Sequence, residues 1–186
     1  MPQILYWQMM FAVLVPATLY ASWNDYRHHR VPNGLNAVIV FFGLGSQWFC
    51  NGLAGLQAGL AGILVGFGML IVLWAMKGMG AGDVKFMASI GAWLGPQLTF
   101  YAVIVGGLIG GVLALAMILR RRQWREASAN MGLLLTKIGS FRTAFSDFGS
   151  ARSISLSGSM MPYAIPLTLG TMFVLVSNYT GWWEVL

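Results

Sequence analysis

An all-α, polytopic membrane protein with about six transmembrane helices and a glycine-rich central helix is predicted by this sequence. The first observation is composition: 58% of the 186 residues are hydrophobic and 9% are charged, a balance foreign to a soluble domain. The second is that apolar runs of spanning length recur between short polar breaks. The third is 24 glycines, many of them inside the apolar runs, where small residues let helices approach closely in lipid. A single cysteine, Cys50, excludes an intramolecular disulfide and a cysteine-based metal site. The net charge of +6 comes from basic residues lying between apolar runs without an aromatic-interleaved patch, so membrane lipid headgroups are the expected partner and nucleic acid is not.

Residues Ile4 to Trp23 form the first run, about long enough to cross a hydrocarbon core of roughly 30 Å. They lack a basic n-region and a small-x-small cleavage site, and Pro16 interrupts them, so they are expected to be a helix rather than a signal peptide. Charge concentrates at Asn24 to Asn33, where Pro32 disfavours helical geometry at Val31. Helix two is expected from Gly34 to Cys50, Asn51-Gly52 makes a turn, and helix three runs from Leu53 to Met76. Helix three carries Gly55, Gly59, Gly62, Gly66 and Gly68, which makes it the central helix. Helix four, Val84 to Leu94, spans only about 16 Å at 1.5 Å per residue, so it is expected to begin below the membrane surface. Gly95-Pro96 turns the chain into helix five, Gln97 to Leu119.

The segment 120–159 opens with Arg120-Arg121-Arg122 and has no spanning run. Its apolar residues, among them Leu133, Ile138, Phe141 and Phe145, alternate loosely with Lys137 and Arg142, as in a helix lying in the interface. The Ser-rich stretch Ser150 to Ser159 fits a solvated loop instead. Helix six is expected from Met160 to Tyr179, followed by the interfacial aromatic anchor Gly181-Trp182-Trp183. Residues 1–186 thus form one integral-membrane domain, with 120–159 a cytoplasmic or interfacial loop within it.

Six spans with an external amino terminus put Arg27, Arg30, Lys77, Lys85, Arg120, Arg121, Arg122, Arg125, Lys137, Arg142 and Arg152 on the cytoplasmic side. These are all the basic residues of the chain, and the reverse orientation places none of them inside. Both termini are therefore expected outside the plasma (inner) membrane.

Only five acids exist, and two occupy membrane depth at cytoplasmic helix ends: Asp25 leaving helix one and Asp83 entering helix four. Asp83 lies in Lys77-Gly78-Met79-Gly80-Ala81-Gly82-Asp83-Val84-Lys85, where alternating glycines permit positive φ or a close approach of another chain. One reading of Asp83 is a helix N-cap at the membrane surface. The other pairs it with Asp25. Two carboxyls near a low-dielectric core cannot both ionise cheaply, so one keeps a proton. One then takes a proton from an attacking water while the other protonates the developing oxyanion, the chemistry of an aspartic peptidase.

Asp25 to Asn33 resembles the D-x5-[IV]-P-N signature, and Gly80 to Lys85 the G-x-G-D-x-K signature, of the type IV prepilin peptidases. Their order, with the late Pro162-Tyr163-Ala164-Ile165-Pro166, extends the resemblance over the whole chain. It implies an intramembrane aspartic endopeptidase that removes the basic leader of prepilins at the cytoplasmic face, with Asp25 and Asp83 as catalytic pair. A prepilin is then the substrate partner, pilus assembly proteins are further partners, and no cofactor or metal is implied. Larger family members carry an insertion with cysteine pairs near the first loop, associated with N-methylation. Here Asp25 to Asn33 is nine residues without cysteine, so the chain resembles the small peptidase-only members, such as those serving tight-adherence (Flp) pili. Archaeal preflagellin peptidases share the same core.

Around the pair, Gly80, Gly82, Pro32 and Asn33 are candidates for shaping the site, although Pro32-Asn33 also simply makes the turn into helix two. Lys85 either offsets the pair's charge or anchors the helix on the positive side. His28 and His29 with Asp25 offer too few converging ligands for a metal. Two other classes remain open: a proton-coupled transporter, whose acids sit near the midplane on broken helices, and a noncatalytic assembly protein, which tolerates loss of both acids.

The orientation predicts that a single cysteine at Ser150, in a Cys50-free background, is blocked in intact cells by membrane-permeant thiol reagents alone. Labelling by an impermeant reagent would reverse the topology.

Overall fold

The computed structural model describes residues 2–28, 30–75, 79–121 and 163–182. All regular structure among them is helical. The chain opens with α1 (Pro2–Met9), a π-helical turn at Met10–Leu14, and α2 (Val15–His28). The widened turn lies just before Pro16, whose ring removes one backbone donor and crowds the carbonyl four residues back, so the helix loosens there without ending. α2 then continues past Trp23 to His28, which places Asn24 and Asp25 on the helix instead of after it. No breaker occurs before Pro32. Asn24 closes the end by donating through Nδ2 to the Arg30 carbonyl (2.6 Å) and meeting His28 Nδ1 through Oδ1 (3.1 Å).

Next come α3 (Asn33–Ala75), α4 (Ala81–Arg121) and α5 (Ala164–Tyr179). The turns expected at Asn51-Gly52 and Gly95-Pro96 appear as breaks inside α3 and α4, at Gly52 (φ 62°, ψ −145°) and Gly95 (φ 71°, ψ 178°). Positive φ is cheap only for glycine. Across Gly52 the chain doubles back, so that Gly55 meets the Gln47 carbonyl and Gly59 meets Leu44. Three helices, Ile4–His28, Asn33–Ala75 and Ala81–Met117, are long and apolar enough to cross a membrane, and Ala164–Tyr179 is a shorter apolar helix. Of the segment 120–159, only 120 and 121 are among the described residues, as the end of α4. The rest of that segment, like Lys77, His29 and the expected start of the last helix at Met160, lies outside them.

The first arm of α4, Ala81 to Leu94, is the buried axis of the bundle: Phe86, Met87, Ile90 and Ala92 have no exposed surface. The second arm of α3 packs antiparallel on it, backbone against backbone. A Cβ on Gly62 or on Gly91 would collide with the other's carbonyl oxygen, and one on Gly66 would stand 2.7 Å from the Met87 carbonyl. The glycine face of this arm therefore packs on the axis, apart from Gly68, around which there is open space. Its opposite face lies outside, Leu64 at 72% exposure, so the central element is the first arm of α4 rather than the glycine helix. The first arm of α3 lies on another side of the same axis, where the Trp93 indole fills the space beside Gly43 and donates to the Ile39 carbonyl (2.9 Å). Pro96 supplies no N–H at the break in α4, and nearby the Trp93 carbonyl accepts hydrogen bonds from Gln47 Nε2 (3.1 Å) and the Tyr6 hydroxyl. Broken helices persist in lipid when neighbours satisfy the freed backbone.

α5 closes the bundle between α2 and the second arm of α4. Gly170 abuts Gly106, and Pro166 abuts Gly110. Ser22 donates to Thr168 Oγ1 (2.7 Å), and Thr168 donates to the Thr18 carbonyl (3.3 Å), forming a polar seam between α2 and α5. At the other end of that seam, the Tyr179 ring stands edge-on to Trp7 and Phe11 at 5.9 and 5.4 Å.

The crossing predicts a contrast. Gly62→Leu should destabilise the bundle by about 3 kcal/mol or more, because backbone must move to admit the side chain. Gly68→Ala should change stability by less than about 1 kcal/mol. Thermal unfolding of the two variants in one detergent checks both.

Candidate active site

Both candidate carboxylates are buried, Asp25 at 5% exposure and Asp83 at 8%. Asp25 sits in the last turn of α2, facing the first turn of α5. Its Oδ2 accepts the backbone N–H of Ala164 (3.2 Å), the first residue of that helix, where the unsatisfied amides and the helix dipole favour a negative group. Asp83 is in the first turn of α4. Its own N–H donates to the Gly80 carbonyl (3.2 Å), and a backbone hydrogen bond from Gly80 returns to its carboxylate. That reciprocal pairing has the form of a capping box, with the acid at the third helical position. Asp83 is therefore not the N-cap, as one reading has it, but an acid inside the first turn that also feels the charge of Asp25. Two acids 58 positions apart in the sequence thus come within each other's electrostatic reach.

The two sequence signatures interlock. Val31 lies against Gly82, whose Cβ would stand 3.7 Å from the Val31 nitrogen, and Lys85 Nζ donates to Asn33 Oδ1 (3.3 Å). Pro32 starts α3 by offering its carbonyl to the Asn36 N–H (3.3 Å). Each signature therefore positions the other.

The glycine expectation resolves differently at each position. Among the described residues the positive-φ glycines are Gly52, Gly95 and Gly181, so Gly80 and Gly82 do not serve by left-handed backbone. Gly80 serves by close approach: a Cβ there would stand 3.1 Å from Asp83 Oδ2. At Gly82 the same atom would make only ordinary contact with Val31. Lys85 is exposed and turned to Asn33, and Arg27 stacks over the Trp23 ring at 5.0 Å. His28 is engaged with Asn24.

Two groups at the site come from the Pro162-Tyr163-Ala164-Ile165-Pro166 run, whose presence in the sequence says nothing of what it touches. The Ala164 amide holds Asp25. Tyr163, half-buried just before α5, feels the Asp83 charge: burial first and that charge second push its phenol above its ordinary value, which keeps it protonated and able to donate.

The bundle is that of a membrane protein, with apolar helices of spanning length and two buried acids at helix ends. The chain belongs to the type IV leader peptidase family, whose sequence profile matches residues 12–115 and so includes both acids. It is 32% identical over 116 residues, 58% of this chain, to a prepilin leader peptidase/N-methyltransferase of Xanthomonas campestris, of which it covers 40%. It is 28% identical over 141 residues, 72% of this chain, to the protein of that name from Aeromonas hydrophila, covering 48% of it. With the Pseudomonas aeruginosa protein of that name the identity is 30% over 127 residues, 60% of this chain and 43% of the relative. The chain thus spans less than half the length of these curated relatives. No solved structure matches it.

The geometry predicts that Asp25→Cys with Asp83→Cys, in a Cys50-free background, becomes crosslinked by a short bifunctional thiol reagent without added substrate. Absence of a crosslink, with each single cysteine shown to react, would separate the two positions.

Proposed function

We propose that this chain is an intramembrane aspartic endopeptidase that removes the basic leader of type IV, Flp-like prepilins at the cytoplasmic membrane face. The observation that carries the reading is the convergence of Asp25 and Asp83, both buried, from two different helices. Neither acid is near the middle of its helix: Asp25 is in the last turn of α2 and Asp83 in the first turn of α4. That location favours a site at the membrane surface over a transport site at the midplane. The family's relatives carry the printed name prepilin leader peptidase, which supports the substrate class.

In this reading the pair carries one proton. The ionised carboxyl takes a proton from water as the water oxygen attacks the scissile carbonyl carbon, and the protonated one donates to the carbonyl oxygen. Collapse of the tetrahedral intermediate breaks the C–N bond, and the proton gained from water passes to the leaving amine. Ala164 N–H and Gly80 N–H hold the two carboxyls in place, and the Tyr163 phenol stands within the electrostatic reach of Asp83. A cytoplasmic site is supported by the distribution of basic residues when the arms of α3 and α4 are counted as separate spans with both termini outside. The first loop has no cysteine pairs, which favours peptidase activity without N-methylation.

The substrate offers a basic leader, a small residue before the scissile bond and an apolar helix after it that stays in lipid. Purified protein incubated with a full-length prepilin should yield one new amino terminus at that junction. Asp25→Asn and Asp83→Asn should each lower the rate by on the order of 10²–10⁴-fold while inserting normally. Near-normal cleavage by either variant would remove the pair from the mechanism.

A further inference from the structure

Thr18, Ser22 and Asp25 stand on successive turns of one face of α2, and each meets α5. The Thr18 carbonyl accepts the Thr168 hydroxyl (3.3 Å), and Thr168 Oγ1 in turn accepts the Ser22 hydroxyl (2.7 Å). The Ser22 hydroxyl also lies 3.2 Å from the Ala164 carbonyl oxygen, and Asp25 Oδ2 accepts the Ala164 N–H at the same distance. α2 therefore grips both backbone groups of Ala164, the carbonyl through Ser22 and the amide through Asp25. The acid is the last rung of a ladder that begins at Thr18. Thr18, Thr168 and Ala164 are buried, so the rungs are shielded from water. A slip of α5 by one residue moves an amide about 1.5 Å along the axis and about 100° around it, enough to take the Ala164 N–H off the carboxylate.

We propose that Ser22 and Thr168 are positioning residues for the reaction: their hydrogen bond holds the first turn of α5 in the register that sets the Ala164 amide on Asp25. The inference rests on the peptidase reading above, in which that carboxyl reacts. Neither hydroxyl touches a reacting atom; both act through Ala164. A carboxylate that accepts an N–H is favoured in its ionised form, so the register bears on how the pair holds its proton as well as on where Asp25 points. Asp83 and Tyr163 are the other titratable groups at this place, while Arg27, His28 and Lys85 are turned to Trp23, Asn24 and Asn33. A seam that only glued two helices together would affect stability and leave the chemical step of the folded protein unchanged.

The test uses the full chain in lipid nanodiscs with a full-length prepilin. Ser22→Ala and Thr168→Val should each lower kcat about tenfold with KM nearly unchanged, whereas Thr168→Ser, which keeps the hydroxyl, should retain most of the activity. The double variant should again lose about tenfold rather than about a hundredfold, because both changes break the same hydrogen bond. Ser46→Ala removes another buried hydroxyl, one that donates to the Gly43 carbonyl within α3 (2.9 Å), and should alter neither constant. A readout without substrate is modification by a hydrophobic carbodiimide, which attacks protonated carboxyls. Asp25, located by mass spectrometry, should react severalfold faster in Ser22→Ala and Thr168→Val than in the unmodified chain. If the unmodified chain leaves prepilin uncut, the peptidase reading fails, and the carbodiimide reaction still decides whether the seam sets the amide on Asp25. An unchanged kcat, losses that multiply in the double variant, a loss carried by KM, or an unchanged reaction of Asp25 would each overturn the proposal.

Discussion

The close crossing of Gly62 and Gly91 is the constraint on which the rest of the bundle depends. Lipid tails are as apolar as leucine, so helices in a membrane are held by contact and hydrogen bonding rather than by exclusion of water. Two glycines facing each other bring backbones to a separation that any side chain forbids. That closeness lets the first arm of α4 sit between the arms of α3 with almost no surface left outside. Asp83, at the start of this arm, inherits the burial.

A second set of contacts fixes the other acid. Ser22, Thr168 and Thr18 tie α2 to α5 in register, and in that register the first amide of α5 meets Asp25. Each such hydrogen bond is worth only about 0.6–2 kcal/mol in a bilayer, yet together they decide which turn of α5 faces the carboxylate. The family match ends at residue 115, before α5, so the helix that orients Asp25 lies beyond the matched region.

The site therefore rests on a division of labour between crowded glycine contacts and sparse polar ones. The glycine crossing brings α4 to the axis, and the interlocking of Val31 with Gly82 and of Asn33 with Lys85 sets how the first loop meets the start of α4. The side-chain amide of Asn36, one turn into α3, is left buried by the same arrangement, without a hydrogen-bond partner among the described residues.

Much of this was legible in the chain by itself. Composition and run length determined the helical membrane class, because a bilayer admits few backbone solutions and demands apolar length. Asn51-Gly52 and Gly95-Pro96 marked the breaks, because only glycine takes the required φ cheaply and proline ends hydrogen bonding. Scarcity singled out Asp25 and Asp83, since ionisable groups at membrane depth are too costly to be incidental. The end of the first helix was misplaced at Trp23, because charge at Asn24 to Arg30 resembles a loop, whereas only Pro32 forbids helix. What only the tertiary structure decided was mutual placement: that the acids come within each other's electrostatic reach, that the Ala164 amide meets Asp25, that Gly80 acts by closeness rather than by φ, and that Lys85 turns to Asn33. These follow from packing between residues distant in sequence, and helical periodicity alone does not specify which faces of which helices meet.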